Sequence, residues 1–176
     1  MNIDTLVLGS LKANCYILSI DGKCLIIDPG EEENKIINHI RKEGFTPVGI
    51  LVTHNHSDHN KSVSILCEMY DIKCYDYNTL FEQTHFLEPF KFKVIYTKGH
   101  SEDSISFYFY EYGCIFTGDF LFKENIGRVD LKGGNINDML LSIEKIKKLD
   151  EDLIIYPGHG DKTTLKHELK YNKYLM

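Results

Sequence analysis

The sequence predicts an α/β fold in which helices cover a largely buried mixed sheet. Apolar segments with the alternation or the continuous runs typical of strands recur along the chain, and segments with apolar residues at helical spacing lie between them. Short turn sequences separate some neighbouring strands, which indicates hairpins inserted into this alternation. The chain has 176 residues, 43% of them apolar, and we expect a single domain over residues 1–176 with a substantial core.

In the first half of the chain, turn and helix-end signals delimit the predicted elements. Asp21-Gly22 is a strong hairpin signal between two strands. The next helix has acids in its first turn, Ile36, Ile37 and Ile40 on one face, and Gly44 as its stop. The predicted elements are strands at 3–8, 14–20, 23–27 and 48–52, a helix at 31–43, and a helix that Asn60 caps and that ends at Tyr70.

In the second half, residues 104–110 alternate apolar and more polar side chains and predict a half-buried strand. The most regular helix is expected at 136–149, with lysines near its C-terminus and six apolar residues facing inward: Ile136, Met139, Leu140, Ile143, Ile146 and Leu149. The other predicted elements are strands at 72–75, 92–97, 114–117 and 153–156, an irregular segment between 75 and 92, and a closing helix at 163–174.

Charge and composition disfavour two kinds of partner. The net charge of −6 argues against nucleic acid, because proteins that bind it usually present a basic face. No apolar run approaches the roughly 20 residues that span a bilayer, and the N-terminal segment lacks the pattern of a signal peptide. The five cysteines, at positions 15, 24, 67, 74 and 114, include no C-x-x-C pair and are expected to be buried thiols in a reducing compartment. We therefore expect a cytoplasmic protein.

The segment from Thr53 to His59 carries three imidazoles and a carboxylate directly after an apolar run. Neutral imidazole and ionised carboxylate are preferred ligands of borderline divalent ions such as zinc. His54 and His56 would lie on one side of an extended segment, and Asp58 and His59 can point elsewhere, so this loop could serve two metals. The alternative is a polar loop that happens to be rich in histidine. It is disfavoured because the candidate ligands in the whole chain include five of its eight histidines.

His100, Asp119 and His159 complete the candidate ligand set. Each follows a strand-like run and is preceded by glycine, which lets the main chain approach a crowded site closely. Any one of them could be an ordinary turn residue. With His54, His56, Asp58 and His59, however, they make seven ligands, enough for two metals that share one carboxylate. Three other residues are placed outside this set: His39 and His85 as non-ligands, and Asp28 as either a turn residue or a support for the metal loop.

The pattern His54-x-His56-x-Asp58-His59, followed by His100, Asp119 and His159, resembles the dinuclear hydrolase branch of the metallo-β-lactamase superfamily. Flanking segments are similar to its glyoxalase II-like group: Asn14-Cys15-Tyr16, Asp28-Pro29-Gly30, residues 117–122, Gly127-Arg128-x-Asp130, and Pro157-Gly158-His159-Gly160 through Thr163-Thr164. The resemblance implies a four-layer αβ/βα sandwich with the metals at one edge. It also implies a first metal on His54, His56 and His100, a second on Asp58, His59 and His159, and Asp119 as the bridge.

Two features depart from that pattern. Lys98 stands where relatives usually have proline, and Ser101-Glu102-Asp103-Ser104 replaces a Thr-Pro-Gly-Ser-like turn. We expect no counterpart of the extra C-terminal helical region with which longer glyoxalase II enzymes help to hold glutathione. The resemblance is therefore to short, single-domain hydrolases of the glyoxalase II-like type.

The expected activity is that of a small thioesterase similar to hydroxyacylglutathione hydrolase. Two divalent ions, zinc first and iron or manganese as alternatives, would make hydroxide available at neutral pH to attack the carbonyl of a small thioester or ester. Asp58 and Asp119 are the expected catalytic carboxylates, Asp58 both as a ligand and as the acceptor that orients the nucleophile. Arg128 has two possible roles, in orienting the substrate or in bracing the Asp119 loop through Asp130.

The same residues are compatible with other activities. A mononuclear iron persulfide dioxygenase of the same superfamily is the main alternative, followed by a lactone, ester or phosphodiester hydrolase and by a metal-binding scaffold or sensor. A Ser–His–Asp site using Ser57 or Ser101 is less attractive, since the histidines are better explained as ligands. The sequence does not predict the oligomeric state.

Overall fold

The computed structural model describes residues 1–176 and contains two mixed sheets flanked by helices. The elements of the first half lie in one sheet and its covering helices. They are β1 (Asn2–Leu8), β2 (Ala13–Ile20), β3 (Lys23–Ile27), α1 (Glu33–Glu43), β4 (Thr46–Leu51), α2 (Ser57–Asn60), α3 (Val63–Tyr70) and β5 (Cys74–Tyr75). The strand order is β1-β2-β3-β4-β5, antiparallel from β1 to β3 and parallel from β3 to β5.

The second sheet has the order β13-β12-β9-β8-β7-β6, and only the β9–β12 pair is parallel. A two-stranded ribbon, β10 with β11, stands apart from it. The elements are β6 (Thr84–Leu87), β7 (Phe90–Tyr96), β8 (Ile105–Phe109), β9 (Cys114–Gly118), β10 (Leu121–Phe122), β11 (Asn125–Ile126), α4 (Ile136–Ile146), β12 (Ile154–Pro157), β13 (Thr163–Thr164) and α5 (Leu165–Tyr171).

The two sheets pack face to face, and each carries helices on its other side. In β2, Leu18 contributes to the cluster between the sheets while its neighbour Ile17 packs with α1 and α3. In the second sheet, Phe116 faces the other sheet and Ile115 packs with α4 and α5. Alternate side chains thus enter two different cores, which is why these strands are apolar on both faces. The layers run α, β, β, α, as the sequence resemblance predicted.

The predicted helix at 60–70 is interrupted. α2 begins at Ser57, α3 begins at Val63, and Asn60 bonds the side chain of Asn55 instead of capping a helix. The break arises at Ser62, because its main-chain N–H donates to Pro29 O (3.1 Å) and its buried hydroxyl donates to Gly30 O (2.5 Å). The tertiary contact with residues 29–30 therefore redirects the chain just after the candidate metal loop.

Several other elements differ from the sequence prediction. The segment between 75 and 92, predicted as irregular, contains β6, the edge strand of the second sheet. α4 ends at Ile146, and Ile136 and Leu140 are 44% and 46% exposed instead of facing inward. The buried stripe of α4 is narrower and consists of Met139, Ser142, Ile143 and Ile146. None of the helices has both the length and the apolar character that crossing a bilayer requires.

The predicted closing helix at 163–174 is shorter because its first two residues form β13. Thr163 pairs with β12, and the Thr164 hydroxyl accepts from the main-chain N–H of His167 (3.2 Å) to cap α5. Glu168 is fully buried and accepts hydrogen bonds from Glu124 N, Thr163 Oγ1 and Asn172 Nδ2. These contacts attach α5 to the β10–β11 ribbon.

Candidate metal centre

Loops at one edge of the two sheets bring the seven candidate ligands together. The 53–59 loop follows β4, His100 follows β7, Asp119 follows β9 and His159 follows β12. The main-chain N–H of Ile105 donates to Thr53 O (2.9 Å), which joins the β4 loop to the second sheet at this edge. Strand ends that meet at one edge are a common location for binding sites.

Three histidines form a first cluster. Nδ1 of His56 lies 3.1 Å from Nε2 of His54 and 3.0 Å from Nε2 of His100. The candidate ligand atoms of the three residues all lie within 4.8 Å of one another. This is the trio that the resemblance assigned to the first metal.

A second cluster consists of Asp58, His59 and His159. The two Nε2 atoms are 3.3 Å apart, and Asp58 Oδ2 lies 3.5 Å from that of His59 and 3.3 Å from that of His159. Their candidate ligand atoms also lie within 4.8 Å of one another.

Asp119 lies between the two clusters and presents one oxygen to each. Its Oδ1 is 3.3 Å from Nε2 of His59 and 3.5 Å from Nε2 of His159, while Oδ2 is 3.6 Å from Nε2 of His100. All seven residues named from the sequence therefore converge. His39 and His85 do not: His39 pairs with Asp4 on β1, and His85 bonds Phe81 O.

Hydrogen bonds on the outer side fix four of the five imidazoles. In each, Nδ1 meets an acceptor, so the proton of the neutral ring is on Nδ1 and the lone pair is on Nε2. The acceptors are Thr53 Oγ1 for His54 (3.1 Å), Asp28 Oδ2 for His59 (3.1 Å), Arg128 O for His100 (2.8 Å) and Leu11 O for His159 (3.1 Å). Four nitrogen lone pairs consequently point into the site.

This arrangement fits divalent cations. Because Nδ1 of both rings donates outward, Nε2 of His59 and Nε2 of His159, 3.3 Å apart, need a positive charge between them, either a proton or a metal ion. Asp119 Oδ1 is buried without a well-aligned hydrogen bond, and a buried oxygen in that condition is costly. Five imidazoles and two carboxylates, all converging, are a donor set that divalent metals satisfy.

The electrostatics of the protein groups point the same way. Burial lowers the pKa of His54 well below its usual value, so this ring is neutral and available as a ligand. Burial also lowers the pKa of His59, but the carboxylates of Asp119 and Asp28 outweigh it and raise that pKa to about 10. Burial raises the pKa of Asp119, yet the contact with His59 holds it below its usual value. Positive charge is thus favoured between Asp28 and Asp119.

The glycines before the three downstream ligands leave no space for a side chain. A Cβ on Gly99 would lie 2.5 Å from Met139 Cα, one on Gly118 would lie 2.2 Å from Thr53 Oγ1, and one on Gly158 would lie 2.2 Å from Asp119 Oδ1. The close main-chain approach that the sequence predicted is therefore present at all three positions.

Asn14 and Tyr16 hold the loop that carries His159, a role the sequence did not reveal. The Asn14 amide donates to Pro157 O (3.0 Å) and Gly160 O (2.9 Å), and the Tyr16 hydroxyl donates to Pro157 O (2.5 Å). The Asn14-Cys15-Tyr16 segment was noticed only as part of a resemblance. A buried polar side chain within an apolar strand was the available signal, since such groups need internal partners.

The site opens into a cleft of about 480 Å³, which we call the metal cleft. Its apolar wall is formed by Leu11, Phe122 and Leu131. Arg128 also lines it, with a side chain that is 68% exposed and that forms two hydrogen bonds with Asp130 (3.0 and 2.8 Å). Arg128 thus braces its own loop through Asp130, holds His100 through its carbonyl, and presents its guanidinium at the rim.

Comparison with known proteins gives a consistent family match. The family model described as the Metallo-beta-lactamase superfamily matches residues 8–73 and 75–159. The chain is 35% identical to the probable metallo-hydrolase YqgX of Bacillus subtilis, covering 95% of this chain and 94% of that protein. It is 29% identical to the hydroxyacylglutathione hydrolase GloC of Haemophilus influenzae, covering 99% and 98%. The crystal structure of BLEG-1 B3 metallo-beta-lactamase superposes with a TM-score of 0.96 at 31% identity, covering 99% of this chain and 100% of that one.

Proposed function

The chain belongs to the metallo-beta-lactamase superfamily, and we propose that it is a dinuclear metal-dependent hydrolase of the glyoxalase II-like type. Its proposed substrate is a hydroxyacylglutathione or a related small thioester. The observation that carries this proposal is the position of Asp119, whose two oxygens face two separate clusters of ligands. The similarity to GloC over almost the whole chain supports the choice of thioester.

The proposed ligand set follows the two clusters. His54, His56 and His100 would hold one ion, Asp58, His59 and His159 the other, and Asp119 would contact both. Zinc is the first choice because the set is rich in imidazole, and iron and manganese accept the same donors. Two such ions, when bound, lower the pKa of water to about 7 and polarise a carbonyl oxygen.

The protein groups position the reactants. Asp58 is 19% exposed in its side chain and faces the cleft beside His159, so one of its oxygens can accept a hydrogen bond from the attacking water and orient it. In the reaction, the attacking water releases one proton to solvent as its oxygen bonds to the carbonyl carbon, and the C–S bond breaks. The acyl group leaves as a carboxylic acid, and the sulfur leaves as a thiolate that takes a proton from solvent.

The shape of the metal cleft suits a small acyl group. Leu11, Phe122 and Leu131 offer an apolar wall against which a short chain can pack. Arg128, at the rim, is proposed to contact the substrate. Only two of the five N–H donors of its guanidinium bond Asp130, and the others are free to donate to the substrate.

The test combines metal analysis with thioester hydrolysis on freshly purified protein. We expect about two divalent ions per chain and release of thiol from S-lactoylglutathione. Asp119→Asn should reduce metal content and hydrolysis together, whereas Asp152→Asn should change neither. The Asp152 side chain is 88% exposed and precedes β12, whose other end leads to His159. A protein with full metal that leaves thioesters intact would refute the thioesterase assignment.

Two other outcomes would redirect the assignment. One iron per chain, with oxygen uptake on glutathione persulfide, would establish the dioxygenase alternative. The 31% identity to BLEG-1 over the full chain favours β-lactams as a second candidate substrate. Hydrolysis of a β-lactam or lactone at a higher kcat/KM than any thioester would place the protein with those hydrolases.

A further inference from the structure

A second cleft, of about 630 Å³, lies beside the metal cleft and shares His56 with it. We call it the lysine cleft because Lys98 and Lys132 line it. Neither ammonium forms an ion pair with a carboxylate of the protein. Unpaired cations in a concavity next to a reaction site indicate a place for an anionic part of the substrate.

Lys98 is held in position by its surroundings. Its carbonyl accepts a hydrogen bond from the Ser142 hydroxyl (2.7 Å), and the next residue, Gly99, packs directly on Met139 of α4. Its ammonium donates to the Tyr77 hydroxyl (2.7 Å) and lies 4.6 Å from the centre of that ring. A lysine ammonium is charged at neutral pH. The cation is therefore fixed at the cleft wall.

Lys98 and Tyr77 together present two donors. An ammonium only donates, so the Tyr77 oxygen accepts from it and the phenolic O–H is free to donate outward. The ammonium keeps two further N–H groups. The two heavy atoms are 2.7 Å apart, which lets each donor meet one oxygen of the same carboxylate.

Two acidic residues that line the same lysine cleft restrict what can enter it. Glu102 and Asp103 also line the cleft, and Asp103 is already engaged by the Ser101 hydroxyl (2.6 Å). Glu102 is exposed and has no such partner. A ligand with many negative charges would be repelled there, whereas a single anionic group can sit at the Lys98–Tyr77 pair.

We propose that the lysine cleft binds a carboxylate at one end of the thioester substrate, with Lys98 and Tyr77 as its direct partners. The inference rests on the proposed thioesterase function and deepens it, since it names a substrate class: thioesters with a terminal carboxylate within reach of the metal cleft. Lys132, which is exposed and also lines the cleft, adds attraction for the same group. Lys98 and Tyr77 are specificity residues and take no part in bond breaking.

The test uses matched substrates that differ only in this charge. One pair is the lactoyl thioesters of N-acetylcysteine and of N-acetylcysteine amide. A second pair places the acid or the amide in the acyl part, as succinyl and succinamoyl thioesters of N-acetylcysteamine. In at least one pair we expect kcat/KM of the wild-type protein to be about tenfold higher for the acid than for the amide, because KM for the acid is lower. A tenfold ratio corresponds to about 1.4 kcal/mol.

Variants separate binding from structural effects. Lys98→Gln and Tyr77→Phe should raise KM for the acid and leave the amide and kcat unchanged. Glu102→Gln should change KM for the acid in the opposite direction, because it removes a repulsion. Lys73→Gln, at an exposed lysine beside the other sheet, is the matched control and should change nothing.

The outcomes distinguish the two proposals. Equal hydrolysis of acid and amide in both pairs, or a Lys98→Gln defect that is the same for both, would overturn the carboxylate site while the thioesterase assignment stands. No hydrolysis of any thioester by metal-loaded protein would refute the assignment itself. NMR titration with S-methyl-N-acetylcysteine and with its amide then tests the carboxylate site separately. Binding of the acid that Lys98→Gln abolishes supports the site, and equal binding of the acid and the amide overturns it.

Discussion

The carboxylate of Asp28 lies 3.1 Å from Nδ1 of His59, and both residues are almost completely buried. The same carboxylate accepts from Thr53 twice, from its main-chain N–H (2.7 Å) and its hydroxyl (2.6 Å), and that hydroxyl is the acceptor for His54. One carboxylate therefore orients histidines of both clusters. The sequence left Asp28 between a turn and a support for the metal loop, and these contacts establish it as the support.

Asp28→Asn should weaken metal binding by about 10- to 100-fold, the usual effect of removing a partner behind a ligating histidine. The amide keeps the shape but loses the charge that fixes the His59 proton on Nδ1. Competition with a chelator of known affinity measures the change. Asp21→Asn is the control, because Asp21 occupies an exposed turn with a similar positive φ. Unchanged affinity in Asp28→Asn would mean that the contact has no effect on binding.

Gly158→Ala should expel Asp119 from its position between the clusters. The added Cβ would lie 2.2 Å from Asp119 Oδ1 and 2.8 Å from His59 Cε1, and relieving such overlap costs about 1–3 kcal/mol. We expect reduced metal content together with a lower Tm. Gly113→Ala provides the comparison, since its positive φ is strained but its Cβ would meet no atom within 4 Å. Normal metal content in Gly158→Ala would contradict this prediction.

Asn14→Ala should loosen the His159 loop. It removes both side-chain hydrogen bonds to the carbonyls on either side of His159, each of which contributes about 0.5–1.5 kcal/mol. Metal content should fall toward one ion per chain, because only the second cluster contains His159. Denaturant unfolding and metal analysis check the two effects. Asn34→Ala, on the exposed face of α1, should have neither.

Phe107→Ala should destabilise the protein by about 3–5 kcal/mol, because it opens a cavity between the two sheets. Phe107 is fully buried and packs edge-on against Phe92. Phe86→Ala, at a ring that is 63% exposed on the edge strand β6, should change stability by less than about 0.5 kcal/mol. Urea unfolding gives the free energy of unfolding of both variants, compared where the slopes against urea concentration are equal. A similar loss of this free energy in both variants would show that the inter-sheet core is not the main source of stability.

Local patterns were most reliable where both faces of a strand are buried. β2, β3 and β9 were found because apolar runs between turn signals have few other interpretations. β6 was missed, because an edge strand of four residues with exposed side chains has no distinctive periodicity. The prediction that Ile136 and Leu140 face inward was wrong for a related reason. When a helix has more apolar residues than its buried face contains, the sequence alone does not show which of them face the sheet.

The sequence by itself determined the identity of the seven converging side chains, because donor chemistry and short-range spacing are written in residue types. The four-layer arrangement was implied by the family resemblance of those residues. Only the tertiary structure decided how those donors are aimed. Two of the groups that orient the histidines are main-chain carbonyls, of Leu11 and Arg128, and every residue has one. The contact between Leu11 and His159 spans 148 positions. The lysine cleft could not be predicted for the same reason, since Tyr77 and Lys98 can contact one ligand together only when folding brings them to within hydrogen-bonding distance.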